Sequence, residues 1–414
     1  MKIIFRLLKE SVSFAYQALV ANKLRSFLSL LGITIGIFSI ISVFTLVDTM
    51  EEGIRKEINK LGSDVIYVSK WSWVFTPDYP WWRFVNRPNP DLEDLEALQR
   101  EKDLFSGVAF EGGRRASVSY RGNEMTSASL SGVSMDYDKV TNLDFVDGRY
   151  FSFSEMALGR NVAVIGGKIA EVLFPSGEAV GKSIKVSGKT MTVIGVLRYQ
   201  GEGNFGVSIN KDRNIIVPIQ FARRYYDVRR MGGNIIVNPK DGYDEGELKD
   251  HIMGIMRAHR KIKPTEDPNF SLNTVSAIQG QISSIFDVMH TVGLVIGMFS
   301  ILVGGFSIAN TMFVSVKERT NLIGIQKALG AKSYFILVQF IFESILLCLV
   351  GGVAGLAFIA GLALLSTYVF DFEIMLSMQN VLTGIIISVV IGLVSGVSPA
   401  YIASKLDPVE AIRS

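Results

Sequence analysis

Residues 177–183 read GEAVGKS, the stretch of this 414-residue chain that comes nearest to a phosphate-binding loop. Such a loop wraps backbone N–H groups around phosphates while its lysine reaches the terminal ones. The motif needs four residues between its glycines. Here three separate Gly177 from Gly181, and Ser176 stands where the first glycine is required. The stretch reads instead as a turn leading into a strand at 183–186. No other stretch makes such a loop, so this chain is not expected to hydrolyse ATP or to bind a cofactor itself. The histidines, His251, His259 and His290, are scattered. With no H-E-x-x-H and no Cys/His cluster, no metal site is expected, and they read as helix-surface residues. There is no G-x-S-x-G elbow or other nucleophile signature. No catalytic residue is assigned.

Two stretches are built for contact rather than for chemistry. Residues 317–332, KERTNLIGIQKALGAK, carry Lys317, Arg319, Lys327 and Lys332 against the single acid Glu318. Leu322, Ile325 and Leu329 fall at i, i+3 and i+7, the spacing of a short helix with one apolar stripe. The second stretch holds all four tryptophans, Trp71, Trp73, Trp81 and Trp82, together with Phe75, Tyr79, Phe84, Pro77 and Pro80. It reads either as an exposed aromatic loop that grips a substrate, a partner or the membrane interface, or as a cluster packed on its own domain.

These stretches are positioned by membrane helices. The chain is 49% hydrophobic with a mean hydropathy of +0.33, which suggests a few spans plus a large water-exposed part. Four segments reach the roughly 20 apolar residues that a bilayer requires, at 26–47, 291–316, 333–366 and 381–404. The net charge of +3 implies no nucleic-acid partner. The lone cysteine, Cys348, lies in an apolar run, so the exposed part has no intrachain disulfide.

Basic residues near the span ends set the orientation. Lys2, Arg6, Lys9, Lys23 and Arg25 precede span one, the loop at 317–332 is basic, and the loop at 367–380 has no Lys or Arg. Both termini, 1–25 and 405–414, are therefore expected in the cytoplasm, and 48–290 outside. Residues 1–22 pattern as an amphipathic helix lying at the membrane interface against anionic lipids. Every span holds a G-x-x-x-G, at Gly32/Gly36, Gly293/Gly297, Gly351/Gly355 and Gly392/Gly396, which supports close helix packing within a bundle or along a dimer seam. Glu343, two turns into span three, reads as a carboxylate reaching for headgroups, with an inter-span bond or proton site as the alternative.

The outer region reads as α+β: a βαβ layer from two chain pieces, 60–111 and 220–285, around a β-rich insertion at 112–219. Strands are expected at 65–69, 162–164, 183–186, 191–196, 234–237 and 270–273, and helices at 91–100 and 246–259.

Four blocks together carry a resemblance over nearly the whole chain. They are NKLRS from Asn22 with Leu31-Gly32-Ile33 and Gly36; Asp147-Gly148-Arg149-Tyr150-Phe151 with the blocks from Asn161 and Val180; Glu318-Arg319-Thr320 with Ile323-Gly324-Ile325 and Lys327-Ala328-Leu329-Gly330-Ala331; and Pro399-Ala400 with Asp407-Pro408-Val409-Glu410-Ala411-Ile412-Arg413. The chain resembles the MacB/FtsX-like permeases of ABC transporters, the macrolide-exporter type. The resemblance implies an α-helical membrane protein with four transmembrane helices and a porter-like periplasmic domain carrying an inserted β subdomain. It implies a bacterial inner-membrane location and pairing as a homodimer or with a similar permease. It also implies an ABC ATPase subunit, from another gene, that holds the ATP and Mg and docks on the coupling loop Glu318, Arg319, Leu322, Ile323, Gly324, Ile325, Lys327, Ala328, Leu329 and Gly330. A periplasmic adaptor and an outer-membrane channel are further partners of this family type. In one departure, Leu322 stands where the family often has an acid. The expected role is mechanotransmission for export of a drug, peptide or lipid-like substrate; the alternative is a signalling subunit whose outer domain senses a ligand or controls an envelope partner.

Overall fold

The computed structural model describes residues 23–62, 65–74, 79–101, 103–201, 211–240, 242–370 and 372–413. The amphipathic helix expected at 1–22, and Phe75 and Pro77 of the aromatic loop, lie outside these residues. The chain divides into a helical unit, Met1–Glu51 with Ile285–Ser414, and a β-rich unit, Glu52–Ser284.

The first helix, α1 (Lys23–Asn59), takes in residues 23–25, which precede the apolar stretch that starts at 26. It also continues well past the apolar stretch that ends at Val47. Its 37 residues would extend about 55 Å at 1.5 Å per residue, against a hydrocarbon core of about 30 Å. Charge ends the span but not the helix. The continuation, rich in Glu, Arg and Lys, is made of good helix formers, and Lys56 pairs with Glu52 one turn back at 3.0 Å.

In the β-rich unit, β1 (Ile66–Ser69) is followed by α2 (Trp81–Val85), α3 (Leu92–Gln99), β2 (Phe105–Tyr120), β3 (Asn123–Val133) and α4 (Tyr137–Val140). Then come β4 (Phe145–Gly148), α5 (Phe153–Leu158), β5 (Val162–Ile165), α6 (Gly167–Leu173), β6 (Ser183–Val186) and β7 (Lys189–Leu197). The last part is β8 (Asn214–Pro218), α7 (Ile219–Tyr225), β9 (Gly233–Pro239), α8 (Glu245–His259) and β10 (Ser271–Thr274).

The strands form one ten-stranded sheet in the order β10-β1-β9-β2-β3-β8-β5-β7-β4, with β6 bridging β2 and β7. The long strand β2 organises it. Its first half pairs with β9, Phe110 opposite Ile235; its second half pairs with β3 and, at Val118–Val186, with β6. The pairings β2-β3-β8-β5-β7-β6-β2 close on themselves, so the inserted part is a small six-stranded barrel sharing a strand with the layer. A register shift between Ala116 and Val118 lets β2 bend into the barrel. Arg121 and Gly122, at φ 45° and 96°, make the tight turn to β3. The 111/112 division read from the sequence falls inside β2, and the insertion contains the helices α4 to α6 as well as strands. Residues 177–183 form a turn into β6, with Gly177 and Gly181 at φ 88° and 82°.

Helices α3 and α8 pack on the layer. Asp91 caps α3 in a reciprocal capping box with Asp94. The buried Asp94 carboxylate accepts from the Arg260 guanidinium just after α8, at 2.5 and 2.9 Å, and so ties the two helices together. Phe110, Leu130, Ile165 and Phe221 centre the core between sheet and helices.

One buried cation stands out. Lys211 Nζ lies 4.5 Å from the Tyr137 ring centroid and has no hydrogen-bond partner among the described residues. Burial pushes its pKa down, against a smaller opposing pull from Glu111. Burial likewise pushes the Tyr137 phenol well up.

The chain re-enters the helical unit through α9 (Val275–Glu318), followed by α10 (Thr320–Ala328), α11 (Ser333–Phe370), α12 (Met378–Lys405) and α13 (Pro408–Arg413). Helices α1, α9, α11 and α12 are each long and apolar enough to cross a membrane and supply spans one to four. Helix α9 starts sixteen residues before the apolar stretch at 291. Beyond the apolar stretches it meets α1 again: Arg55 donates to Ser283 Oγ at 2.5 Å, and Gln279 to Asn59 Oδ1 at 2.6 Å.

Candidate coupling site

The loop between spans two and three is shaped by its last turn. Helix α10 ends at Ala328, Leu329 is the cap, and Gly330 takes φ 97°. Gly330 N–H then reaches Lys327 O, and Ala331 N–H reaches Gln326 O, both at 3.0 Å. This paired closure satisfies carbonyls that the helix end leaves open, and the left-handed residue it needs is the one glycine tolerates best.

The ten residues read from the sequence as a coupling surface divide into two faces. Four turn toward the chain's own helices. Ile323 is buried. A side chain at Gly324 would sit 2.8 Å from Ala411 Cβ and 3.1 Å from Ile412, because α13 packs there. Lys327 Nζ donates to the carbonyls of Ser404 and Leu406, at 2.6 and 2.8 Å. Arg319 pairs with Glu343 in α11 at 3.3 Å. The other six, Glu318, Leu322, Ile325, Ala328, Leu329 and Gly330, are exposed. Leu329 is 85% exposed, Leu322 58% and Ile325 44%. Val409 and Ile412 of α13 add further exposed apolar surface.

Glu343 corrects the headgroup expectation. Its side chain is 1% exposed and is held by Arg319, so it turns to the chain itself, in a bond between span three and the loop rather than the headgroup contact. Sequence reasoning also missed Ser404, Leu406, Ala411 and Ile412 as neighbours of the loop. The signal was present in the terminal DPVEAIR block: Asp407 Oδ1 accepts Val409 N–H at 2.8 Å, and Pro408 opens α13, the standard way to start a helix.

The glycine pairs all face neighbours in the same bundle. A Cβ on Gly36 would lie 3.2 Å from Ser300 O, and Gly32 faces Gly304 and Ser307. From the other side, Gly293 lies against Val43, and Gly297 against Ile40 too closely for any side chain. Gly351 and Gly355 meet span one at Ile33 and Thr34, and Gly392 and Gly396 meet span three at Ile345 and Ser344. Small residues thus let the backbones approach, where apolar tails give no hydrophobic gain. At the far end of the bundle, Asn380 donates to Asp48 at 2.7 Å and His290 Nε2 lies 3.2 Å from Asp48.

The aromatic stretch divides as well. Trp73 packs on Tyr67, its ring 4.8 Å away, and its backbone N–H donates to Asn273 Oδ1. Phe84 stacks on Tyr79 at 4.9 Å. Trp81 and Trp82 stand out, 60% and 57% exposed, and Trp71 is partly so. Among the described residues no group of metal-ligating side chains forms. His259 lies near Asp94 and His290 near Asp48.

Family models match on both sides of this geometry. Residues 26–255 match the MacB-like periplasmic core domain, and residues 294–408 match the FtsX-like permease C-terminal region, which includes α10. The chain belongs to the MacB/FtsX-like permeases. Among its relatives is a "Macrolide export ATP-binding/permease protein MacB" of Bdellovibrio bacteriovorus, 31% identical over 98% of this chain and 61% of that protein. A protein of the same name from Neisseria gonorrhoeae is 30% identical over 97% of this chain and 60% of its own length. The chain thus spans about three fifths of these MacB relatives. The "Uncharacterized ABC transporter permease YknZ" of Bacillus subtilis is 29% identical over 98% of this chain and 99% of its own length. The solved periplasmic region of MacB from Actinobacillus actinomycetemcomitans aligns with 55% of this chain and 96% of its own, at TM-score 0.44 and 16% identity.

Proposed function

We propose that this MacB/FtsX-like permease converts ATP-driven motion of a separate ATPase subunit into motion of its β-rich unit. One observation carries the reading: an apolar stripe, Leu322, Ile325 and Leu329, left exposed on a short helix in a basic loop between two spans. Apolar side chains kept in water on a capped, anchored helix call for a partner, and the basic loop favours the cytoplasmic side. Both termini then lie in the cytoplasm of a bacterial inner-membrane protein, and the β-rich unit lies in the periplasm. ATP and Mg belong to the partner; the chain contributes the docking face.

Transmission through α1 and α9 is supported by their unbroken course from one unit into the other. Their hydrogen bonds beyond the apolar stretches favour movement as a pair. A near-complete switch between two states requires the nucleotide-bound partner to favour one of them by about 5.5 kcal/mol. The substrate, a drug, peptide or lipid-like molecule, would be handled outside, with a second permease copy and an adaptor and outer-membrane channel as partners. The exposed Trp81–Trp82 pair favours one such contact on the β-rich unit.

Affinity purification from native membranes tests the proposal. Recovery of an ABC ATPase, whose nucleotide-bound form changes distances within the β-rich unit, is the expected result; an adaptor in the same complex marks export. Recovery of a kinase or wall hydrolase with the ATPase marks the signalling alternative. A chain that hydrolyses ATP alone, or that shows no nucleotide-dependent change with the ATPase bound, overturns the proposal.

A further inference from the structure

Helix α10 is covalently joined to spans two and three, yet its inward side chains reach further. Lys327 spans to the end of α12, placing its ammonium between the carbonyls of Ser404 and Leu406. The final carbonyls of a helix lack intrahelical partners and carry its negative dipole end, so a cation there is held by both charge and hydrogen bonding. Arg319, at the opposite end of α10, reaches Glu343, ten residues into α11. That carboxylate is buried, and its second oxygen, Oε1, has no partner among the described residues. Between these two contacts, α13 closes over Gly324.

We infer that Lys327 and Arg319 act as positioning residues that clamp α10 to the ends of spans four and three, so that any displacement of α10 moves spans two, three and four together. A helix tied only at its covalent ends would pass a push to the two spans it joins. The contacts to Ser404, Leu406 and Ala411 bring in span four, which follows α10 by some fifty residues in sequence and is not bonded to it. The basic residues of the loop therefore have separate tasks: Arg319 and Lys327 are committed inward, while Lys317 and Lys332 remain exposed. The clamp rests on the coupling reading for its purpose, but its test needs no ATPase.

The full chain in lipid nanodiscs is compared by hydrogen exchange, segment by segment, with Lys327→Met, Lys327→Arg and Glu343→Gln. Lys327→Met keeps the apolar stem and removes the donors. It is expected to speed amide exchange by about tenfold or more, the scale of charged hydrogen bonds, both in 320–328 and in 400–406. Lys327→Arg, which retains donors and charge, stays near the native rates. Glu343→Gln is expected to speed exchange in 320–328 and around 343. Native rates at 400–406 in Lys327→Met, or a change confined to α10, overturn the clamp. Should Lys327→Met fail to insert, Glu343→Gln decides by the same standard: a change at 320–328 together with 339–347 supports the clamp, and its absence overturns it. Because no partner is present, loss of the clamp and loss of ATPase docking are separate results.

Discussion

Replacing Leu322, Ile325 and Leu329 together by serine removes the apolar face on which the coupling proposal stands. Their exposed fractions, 58%, 44% and 85%, amount to nearly two whole side chains still in water. Burying such a side chain stabilises a complex by about 1.5–3 kcal/mol, so the stripe offers about 3–6 kcal/mol to a partner that covers it. Interfaces deliver less than their area promises, because ordering and polar desolvation offset part of the gain. Taking the lower bound, loss of about 3 kcal/mol weakens binding by at least a hundredfold. The same substitutions leave the bundle nearly untouched, since these residues contribute little to its packing. The assay is titration of the cognate ATPase onto nanodisc-embedded permease, read by light-scattering mass or interferometry, with thermal melting in parallel. Ile323→Ala provides the contrast. It opens a cavity beneath the helix, with a cost of about 2–5 kcal/mol in local stability, yet removes nothing from the exposed face. Unchanged affinity in the triple variant with native melting would refute the docking assignment, and a fall in melting temperature without loss of affinity would show the stripe to be structural.

Three other perturbations probe separate links. Lys211→Met should raise the melting temperature of the β-rich unit at neutral pH, because it keeps a side chain of similar volume and removes a buried donor that has no hydrogen-bond partner among the described residues, a group that costs about 1–3 kcal/mol when left unsatisfied. Burial lowers the Lys211 pKa below its ordinary 10.5, so the unfolded chain binds more protons between the two values, and native stability rises with pH across that window. The advantage of Met should therefore be constant below the window and shrink toward pH 10.5; a Met variant that melts lower at every pH would show that Lys211 has a satisfied role. Gly297→Leu should force spans one and two apart, since even a Cβ there collides with Ile40; overpacking of this kind costs about 1–3 kcal/mol. Cysteine cross-linking between Val43 and Gly293 positions should fall while ATPase binding persists. Trp81→Ala with Trp82→Ala should leave melting unchanged, as both rings are exposed, and should reduce transport or recovery of an outer partner; full retention of both assigns the pair no role in contact.

The parts legible in the sequence share one property: they are local. The spans follow from runs of apolar residues, and the helix at 317–332 from three leucine and isoleucine positions. The strand at 183–186 follows from alternation beside the turn at Ser187–Gly188. The strand β2 is not visible in the sequence, because its second half, EGGRRASVSY, mixes glycine and arginine into a barrel wall, and the strand as a whole pairs with β3, β6 and β9 from three separate parts of the chain. An apolar run marks a span but not the end of its helix; α1 continues through Glu51, Glu52 and Arg55 because a change of solvent does not interrupt i to i+4 hydrogen bonding. The coupling site was legible as a stripe but not as two faces. Spacing assigns Lys327 to a basic loop, and only the fold reveals that the nearest unsatisfied acceptors, Ser404 and Leu406, belong to a helix end nearly eighty residues on. Glu343 shows the same limit in reverse. Read alone in an apolar run, a carboxylate seeks the closest water or headgroup; placed beside the Arg319 guanidinium, it is better kept buried, because removing either partner would leave a charge with no solvent to screen it. The energetic sense of such a residue is a property of the pair, and the pair exists only once spans two and three have packed. For that reason the surface that meets a partner was readable from residue types, whereas the contacts that make the surface part of the bundle were not.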